Sequence, residues 1–431
     1  MNEYTKAIKS MRSQNAASRI VRLYGQKDGT IVEQTTRYIR LIKKHEELFS
    51  SEEKLHIVSA PGRIEVSGNH TDHNHGKVLA AAINKDAAAC VSKRHDDIVK
   101  VYSEGYGMLE ISLQDIALSE REHGSTRALI KGIASKIQEL GYQIGGFEAA
   151  VHSTVLSGSG LSSSAAIENL IASIFDILYN GSRMDAMEKA KIGQYAENVY
   201  FGKPSGLLDQ SASAVGGLVY MDYKHDTPEV TAKHFDFAKY GYSIIVVNTN
   251  SSHDDLTDCY AAIPKEMKAV ASYFLENSLR KVRPEQVFQH IAELRDQFGE
   301  RAILRTLHFF QENQRVSKLV AALDRADIRL FLDLIIESGR SSFMYLQNIY
   351  AHADIQPIAL ALALAESCLK DDGAWRVHGG GFAGTTLNFV PHAKIDIFRR
   401  TMESAFGEHC CLELNIRPEG AAVINIEEKV G

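Results

Sequence analysis

The chain has 431 residues, 45% of them hydrophobic and 24% charged, and this length predicts two domains of roughly 200 residues each. Its 48 basic and 54 acidic residues give a formal net charge of -6, and without a dense block of lysine and arginine this balance excludes a nucleic-acid partner. Five cysteines without a C-x-x-C pair, no long apolar run and no signal sequence predict a cytoplasmic protein with neither a disulfide framework nor a membrane span.

The first 50 residues are charged and helical in pattern, and they predict an amino-terminal helical extension. From Leu55 the pattern changes to short runs rich in β-branched residues, such as LHIVSAPGRIEVSG and KVLAAAINKDAAACV, which predict strands. A helix is expected at about 126–140, followed by a strand that ends near 156. A Gly/Ser loop then opens a further helix, and another helix is expected at about 184–201.

Further strands are predicted in GGLVYMDY and YSIIVVNTN, whereas residues 254–370 are mostly helical by their 3.6-residue periodicity. The remainder returns to a β–α–β pattern, with a helix at about 392–406. No fixed-period repeat occurs, which excludes a solenoid. We therefore expect an α+β protein with a helical extension at 1–50 and two domains at 51–240 and 241–431.

The Gly/Ser loop SGSGLSSSAA lies between a predicted strand and an amphipathic helix. Glycine allows the backbone to approach an anion closely, and the free N–H groups and dipole at a helix start favour negative charge. The pattern predicts a site for the phosphates of ATP, with serine hydroxyls available to Mg²⁺; a flexible turn capped by serine is the alternative. The candidate nucleotide-binding residues are Ser157, Gly158, Ser159, Gly160, Leu161, Ser162, Ser163 and Ser164.

Residues 60–76 carry a dense cluster of polar side chains in a predicted strand and turn: Arg63, Asn69, His70, Asp72, His73, Asn74 and His75. Such a cluster is a poor candidate for a core, and carboxylate, amide and imidazole groups pair with sugar hydroxyls. The alternatives are a solvated turn and a metal site, although the cluster has no second half elsewhere in the chain. The segment therefore predicts a site for a polyhydroxylated ligand.

Two more loops carry candidate residues. In KPSGLLDQ at 203–210, Asp209 follows a turn and opens a helix of small residues. There its carboxylate can accept a hydroxyl proton beside a transferred phosphoryl group, with a nearby arginine to lower its pKa; a helix N-cap is a compatible alternative. Residues 378–384, HGGGFAG, link two predicted strands, and their glycines indicate a tight loop or a surface of close packing.

Together these segments resemble the GHMP kinases, and among them the galactokinases most closely. The first family motif, approximately G-R-V-N-x-I-G-E-H-T-D-Y-N-x-G-x-V-L, aligns with residues 62–79. The second, P-x-G-x-G-L-S-S-S-A-A, matches 157–166 almost throughout. The third, G-A-G-F-G-G, matches 379–384 with Ala383 in place of a glycine, and residues 248–260 match the family spacing N-S-N-x-x-H-x-L-x-x-x-x-Y.

The resemblance implies a two-domain GHMP kinase fold, with a mixed sheet in the first domain, an α+β second domain and the active site between them. It implies an enzyme that uses ATP and Mg²⁺ to phosphorylate the C1 hydroxyl of galactose, giving galactose 1-phosphate and ADP. Arg63 and Asp209 would form the catalytic pair, in which Asp209 either abstracts the C1-hydroxyl proton or orients that hydroxyl. The other implied roles are sugar binding by Asn69, His70, Asp72, Tyr260 and the Gly206 backbone, and Mg²⁺ binding by Ser163, or a serine beside it, and Glu197.

The chain also departs from the family pattern. Asn69 stands where the galactokinases have a glutamate that contacts the C6 hydroxyl, His73 replaces an aromatic residue, and AAIPKEM after Tyr260 replaces an arginine cluster. Because an amide tolerates a sugar carboxylate that glutamate would repel, a kinase for galacturonate or another C6-modified hexose is the alternative. A catalytically silent sugar sensor is disfavoured, since the phosphate motif and both catalytic residues remain. The extension is expected to pack on the first domain or to dimerise, giving a monomer or a homodimer.

Overall fold

The computed structural model describes residues 2–155, 160–225, 227–250, 256–382 and 384–424. The first three helices form the amino-terminal extension. Most of the other helices follow one another in the second half of the chain or cover the sheets. The α-helices are α1 (Glu3–Met11), α2 (Gln14–Tyr24), α3 (Thr30–Phe49), α4 (Thr126–Glu139), α5 (Ser163–Tyr179), α6 (Ala186–Tyr195), α7 (Leu208–Val215), α8 (Thr257–Tyr273), α9 (Pro284–Gln289), α10 (Ile291–Phe298), α11 (Glu300–Asp324), α12 (Ile328–Ser341), α13 (Pro357–Leu369) and α14 (Ile395–Phe406).

The strands form two sheets. They are β1 (His56–Ser67), β2 (Lys77–Lys93), β3 (Ile98–Ser103), β4 (Gly107–Ser112), β5 (Phe147–Ser153), β6 (Leu218–Asp222), β7 (Glu229–Lys233), β8 (Tyr242–Asn248), β9 (Ala374–His378), β10 (Thr385–Pro391), β11 (Cys411–Leu414) and β12 (Ala422–Val423). The first sheet has the order β12-β1-β2-β5-β3-β4, and β6 pairs with both β2 and β7. It is mixed, because β3 and β5 are parallel whereas the other pairs are antiparallel. The second sheet, β11-β8-β10-β9, is antiparallel throughout.

Both faces of the first sheet are covered, so β1 and β2 are buried along nearly their whole length. One face packs against α4 and α5, where Ile64, Leu79 and Phe175 belong to one buried cluster. The opposite face lies under the extension, and Ile57 there shares a second buried cluster with Tyr38 of α3. The extension therefore packs on the first sheet as an integral layer.

A buried charge cluster holds the extension in place. Arg37 of α3 donates to Oδ1 of Asp86 on β2 at 2.6 Å, and the Tyr24 hydroxyl donates to Oδ2 of the same carboxylate at 2.5 Å. Arg417 adds a second guanidinium at 3.4 Å. Burial opposes ionisation of Asp86, but Arg37 and Arg417 outweigh it and hold the pKa of this carboxyl below its usual range. The extension, the first sheet and the segment before β12 are thus joined through one carboxylate.

The structure confirms the predicted helical extension and the α+β character of the chain. Two short strands, β7 and β12, escaped prediction, and β12 pairs with β1 so that the last described residues return to the first sheet. A division into two domains near residue 240 stays a prediction. Among the described residues, none of the helices is long and apolar enough to cross a membrane.

Candidate active site

Strand β1 places two charged side chains next to each other on one face. Ile64 and Val66 are buried in the hydrophobic core. Since successive side chains of a strand point to opposite faces, Arg63 and Glu65 point the other way. The pairing with β2 continues without a shift from Arg63 to Glu65, so no bulge interrupts this alternation. We call the region around these two side chains the site.

Arg63 forms a two-pronged ion pair with Asp209. Its Nε lies 2.6 Å from Oδ1 and its Nη2 lies 2.7 Å from Oδ2, and the Ser162 hydroxyl also donates to Oδ2. Burial opposes the charge on Asp209, but Arg63 and the hydrogen bonds outweigh it and lower the pKa of this carboxyl below its usual range. Asp209 therefore carries its negative charge at neutral pH while 34% of its side chain remains exposed.

The helix N-cap considered for Asp209 is wrong. Helix α7 begins at Leu208, with Leu207 in the capping position and no side-chain cap. Asp209 is already inside the first turn, where the partial positive charge of the helix start favours a carboxylate. Its oxygens accept hydrogen bonds from β1 and from the Gly/Ser loop, and none of the bonds that involve them caps the helix.

The turn after β1 brings His70 and Asp72 to the site. His70 has a positive φ of 55° and its Nε2 lies 3.0 Å from the carbonyl oxygen of Gly380. A Cβ on Gly206 would lie 2.4 Å from Oδ2 of Asp72, so a larger residue at this position would displace the carboxylate. Burial raises the pKa of Asp72, although the His70 imidazole opposes this, and the nearby carboxylates of Glu65 and Asp209 raise it further.

Asn69 lies beneath the site, with its side chain wholly buried. Its Nδ2 donates to Oε1 of Glu65 at 2.9 Å and to the Gly379 carbonyl oxygen at 2.6 Å. Its Oδ1 accepts from Nδ2 of Asn348 at 2.7 Å and from the Ser342 hydroxyl at 3.4 Å. The N–H donors and the carbonyl oxygen of this amide are therefore all hydrogen-bonded within the protein. The predicted contact between Asn69 and a sugar stays a prediction.

Tyr260 and the loop after β9 close another side of the site. The Tyr260 hydroxyl donates to the carbonyl oxygen of Gly381 at 2.8 Å, and its ring packs edge-on against Phe382. Gly380 lies so near that a Cβ there would come within 2.6 Å of the Tyr260 ring. Gly380 and Gly381 of this loop thus serve close packing, as the sequence indicates, whereas a Cβ on Gly379 would meet no atom within 4 Å. Ser251, Ser252, His253 and Ala383 of the family motifs lie outside the described residues.

The described part of the Gly/Ser loop leads directly from the site into α5. The carbonyl oxygen of Leu161 accepts a hydrogen bond from the Arg63 N–H at 3.0 Å, and Ser162 has a positive φ of 58° before the helix begins at Ser163. The start of α5, with its free N–H groups, therefore lies beside the Arg63–Asp209 pair, which is a favourable place for an anion. Ser157, Gly158 and Ser159 of the predicted phosphate site lie outside the described residues.

A buried carboxylate, Glu197, lies beside the start of α5. Within the described residues, the hydroxyl group that donates to Oε1 of Glu197 is that of Ser164, at 3.2 Å, and not that of Ser163. Lys203 also contacts Oε1, at 3.0 Å, and the Gln210 amide donates to Oε2 at 2.8 Å. The same Gln210 amide bonds Glu168, whose pKa is raised well above its usual range by burial and by the charge of Glu197.

Two residues at the site were not predicted from the sequence. Glu65 contacts Arg376, whose Nη2 lies 3.1 Å from Oε1. His378 is buried and accepts a hydrogen bond at Nε2 from the Glu65 N–H at 3.1 Å, while its Nδ1 lies 2.9 Å from the Thr385 hydroxyl. The signal for His378 was its place at the head of the glycine loop. The signal for Glu65 was a charged residue between two core positions of β1.

Comparison with known proteins gives consistent matches. Residues 43–93 match the galactokinase galactose-binding signature, and residues 128–217 match the GHMP kinase N-terminal domain. The chain is 34% identical over 357 residues to a galactokinase of Actinobacillus pleuropneumoniae serotype 5b, covering 80% of this chain and 87% of that protein. It is 30% identical over 369 residues to a Streptomyces coelicolor galactokinase, covering 84% and 92% of the two chains.

Solved structures agree with these matches. Lactococcus lactis galactokinase, determined in complex with galactose, superposes with a TM-score of 0.76 at 25% identity, covering 88% of this chain and 98% of that one. A mevalonate kinase superposes with a TM-score of 0.61 at 14% identity, covering 84% and 99%, and this likeness concerns the fold alone. The predicted GHMP kinase fold is confirmed by both.

Proposed function

The chain belongs to the galactokinase family, and we propose that it is a galactose 1-kinase, which transfers the γ-phosphoryl group of ATP to the C1 hydroxyl of galactose. The products are galactose 1-phosphate and ADP. The observation that carries this proposal is the Arg63–Asp209 pair, which lies where the sugar-binding signature meets the start of α5. A carboxylate at this junction faces both a bound sugar and the phosphates of a bound nucleotide.

Asp209 acts on the attacking hydroxyl. Because its pKa is lowered, it is an acceptor at neutral pH, and its carboxylate orients the C1 hydroxyl toward the γ-phosphorus. As the new O–P bond forms and the bond to the ADP oxygen breaks, the hydroxyl proton passes to this carboxylate. A loose transition state requires little basicity at the start of the reaction, so a carboxylate with a lowered pKa is adequate. Arg63 holds the carboxylate in place and supplies positive charge beside the transferred group.

The sugar hydroxyls are bound from the turn after β1 and from two other segments. His70 and Asp72 offer an imidazole and a carboxylate, Tyr260 offers a phenol, and the Gly206 backbone lies against Asp72. These four contacts are proposals, supported by two observations: His70 and Tyr260 contact the glycine loop, and Asp72, against which Gly206 lies, is near enough to Asp209 for their charges to interact. Asn69 takes part indirectly, by fixing the position of its neighbours.

Residues 157–164 are proposed to bind the phosphates of ATP, and Glu197 is proposed to hold Mg²⁺ together with Ser163 or Ser164. The donor set fits this ion, because a buried carboxylate and a hydroxyl are oxygen ligands that Mg²⁺ prefers; substrate phosphates and water would supply the remaining ligands. Oε1 of Glu168, which is joined to Glu197 through the Gln210 amide, is buried without a hydrogen-bond partner among the described atoms, so one oxygen beside Glu197 is left for a cation. Bound Mg²⁺ would neutralise charge on the transferred phosphoryl group.

A sugar with a carboxylate at C6 is the second candidate substrate, because Asn69 stands where the family has glutamate. Phosphorylation of galactose and of galacturonate, measured side by side with ATP and Mg²⁺, tests the proposal. We expect galactose to be turned over faster. Faster turnover of galacturonate would assign a sugar-acid kinase instead, and turnover of neither would contradict a sugar kinase for these substrates.

We further propose that the enzyme works in the cytoplasm, as a monomer or a homodimer. All five cysteines are free thiols, which suits a reducing compartment.

A further inference from the structure

The chain exchanges a carboxylate and an amide within one family motif. In the motif G-R-V-N-x-I-G-E, asparagine stands three positions after the first glycine and glutamate stands seven positions after it. Counted from Gly62, this chain has Glu65 and Asn69 at those two positions. The two side chains touch, because Nδ2 of Asn69 donates to Oε1 of Glu65 at 2.9 Å. The pair of groups has thus been kept, but the carboxylate has moved from the turn into strand β1.

Glu65 is held firmly in its position. Arg376, whose side chain is fully buried, contacts Oε1 at 3.1 Å, and the same guanidinium donates to the carbonyl oxygen of Val66 at 2.6 Å. The backbone of Glu65 is fixed as well, by its hydrogen bond to His378. Two side chains of β9, Arg376 and His378, together with Asn69 from the turn after β1, therefore determine where this carboxylate lies.

One oxygen of Glu65 is left over. Asn69 and Arg376 both bind Oε1, and no described residue donates a hydrogen bond to Oε2. The side chain is 11% exposed, and Oε2 is not one of the buried polar atoms that lack a hydrogen-bond partner, so this oxygen is accessible to a ligand. It shares the face of β1 that carries Arg63, and its charge reaches Asp72. An ionised carboxylate only accepts hydrogen bonds, so this oxygen suits a hydroxyl of the ligand.

The charges around the site also argue against an anionic sugar. The Arg63 guanidinium is paired with Asp209, and the Arg376 guanidinium is paired with Glu65. Asp72 adds a further carboxylate at the same place. Among the residues that the structure describes, a sugar carboxylate would therefore meet acidic oxygens while both nearby guanidinium groups are already paired, and desolvating it there is unfavourable.

We propose that Glu65 is a substrate-binding residue that determines specificity: its free carboxylate oxygen accepts a hydrogen bond from a galactose hydroxyl and excludes sugar acids. The inference rests on the proposed galactokinase function and narrows its substrate class to neutral hexoses. Asn69, instead of admitting a sugar carboxylate, positions Glu65 through their hydrogen bond.

The test uses the full-length enzyme and the variant Glu65→Gln, which keeps the shape of the side chain and one acceptor oxygen. With saturating MgATP, we expect the KM for galactose to rise about 10- to 100-fold, the cost of a lost hydrogen bond to a charged group, while the KM for ATP changes less than about 2-fold. The preference for galactose over galacturonate should shrink by at least about 10-fold. Glu148→Gln is the matched control, because Glu148 is 12% exposed and paired with Arg94 on the same sheet; it should change none of these values.

A second variant guards against a folding defect in Glu65→Gln. In the double variant Glu65→Asn/Asn69→Glu the carboxylate returns to the position of the family motif. We expect its KM for galactose to be at least about 10-fold lower than that of the single variant Glu65→Asn. The inference is overturned if Glu65→Gln matches the wild type in both the galactose KM and the sugar preference, or if the wild type prefers galacturonate. If the wild type phosphorylates neither sugar, the proposed function itself fails, and that result is visible before any variant is compared.

Discussion

The substitution Asp209→Asn isolates the contribution of one charge at the site. The Arg63 guanidinium presents two donors to two carboxylate oxygens, at 2.6 and 2.7 Å, and an amide offers only one acceptor in that place. The Nδ2 group of asparagine would face a donor, and the Ser162 hydroxyl would compete for the remaining oxygen. The variant therefore loses both the acceptor for the sugar proton and the orientation of Arg63.

The expected magnitude follows from these two losses. Removing a group that receives the proton costs about 10²- to 10⁴-fold in rate, which corresponds to about 3–5 kcal/mol of transition-state stabilisation. The effect on folding is much smaller, about 1 kcal/mol or less, because 34% of the Asp209 side chain is exposed to solvent that screens the pair. We thus expect kcat to fall steeply while the midpoint of urea unfolding stays close to that of the wild type.

The assay couples ADP release to a spectrophotometric signal at saturating galactose and MgATP, and nucleotide affinity is measured separately by titration. Glu419→Gln serves as control, because Glu419 is a partly buried carboxylate that pairs with Arg19 of the extension. That variant should retain wild-type kcat. A kcat/KM for Asp209→Asn within about 3-fold of the wild type would refute the role given to this residue.

Three further outcomes are expected. Gly206→Ala places a Cβ 2.4 Å from Oδ2 of Asp72 and should raise the KM for galactose about 10-fold with an unchanged KM for ATP, as steady-state kinetics will show. Arg37→Ala removes one ion-pair partner of the buried Asp86 and should lower the free energy of unfolding by about 3–5 kcal/mol in urea titrations. The control Arg40→Ala breaks the ion pair with Glu104, whose two side chains are 59% and 50% exposed, and should lower it by less than about 1 kcal/mol. Burial lowers the pKa of His45 to about 4 from an ordinary 6.5, so the unfolded chain binds this proton first. Neutral His45 therefore contributes on the order of 3 kcal/mol to the free energy of unfolding above pH 6.5, and this contribution is lost as the pH falls toward 4. In a His45→Gln variant, the free energy of unfolding should depend less on pH across this window.

Local patterns predicted most of the secondary structure. Periodicity and β-branched runs identified the extension, the long strands β1 and β2, and the helices between β8 and β9. The strand β12 escaped because it has only two residues, and its pairing with β1 depends on a contact between opposite ends of the chain. Such a pairing leaves no periodic signal in the sequence.

Side-chain partners were harder to predict than side-chain types. The motifs supplied Arg63 and Asp209 as a pair, and the structure brings them within hydrogen-bonding distance. Asn69 was expected at the ligand from its position in the motif, yet its amide is satisfied by Asn348 and by the Gly379 carbonyl, hundreds of residues away. The spacing within a motif predicts which residues share a turn. It does not predict which groups from distant parts of the chain will form hydrogen bonds with their side chains.

The most direct measurement is the identity of the product formed from galactose, ATP and Mg²⁺, determined by phosphorus and carbon NMR spectroscopy of the reaction mixture. We expect one equivalent of ADP for each galactose 1-phosphate, with the phosphorus coupled to the anomeric carbon. Phosphate attached at any other carbon, or ADP released without a phosphorylated sugar, would contradict the assignment of this chain as a galactose 1-kinase.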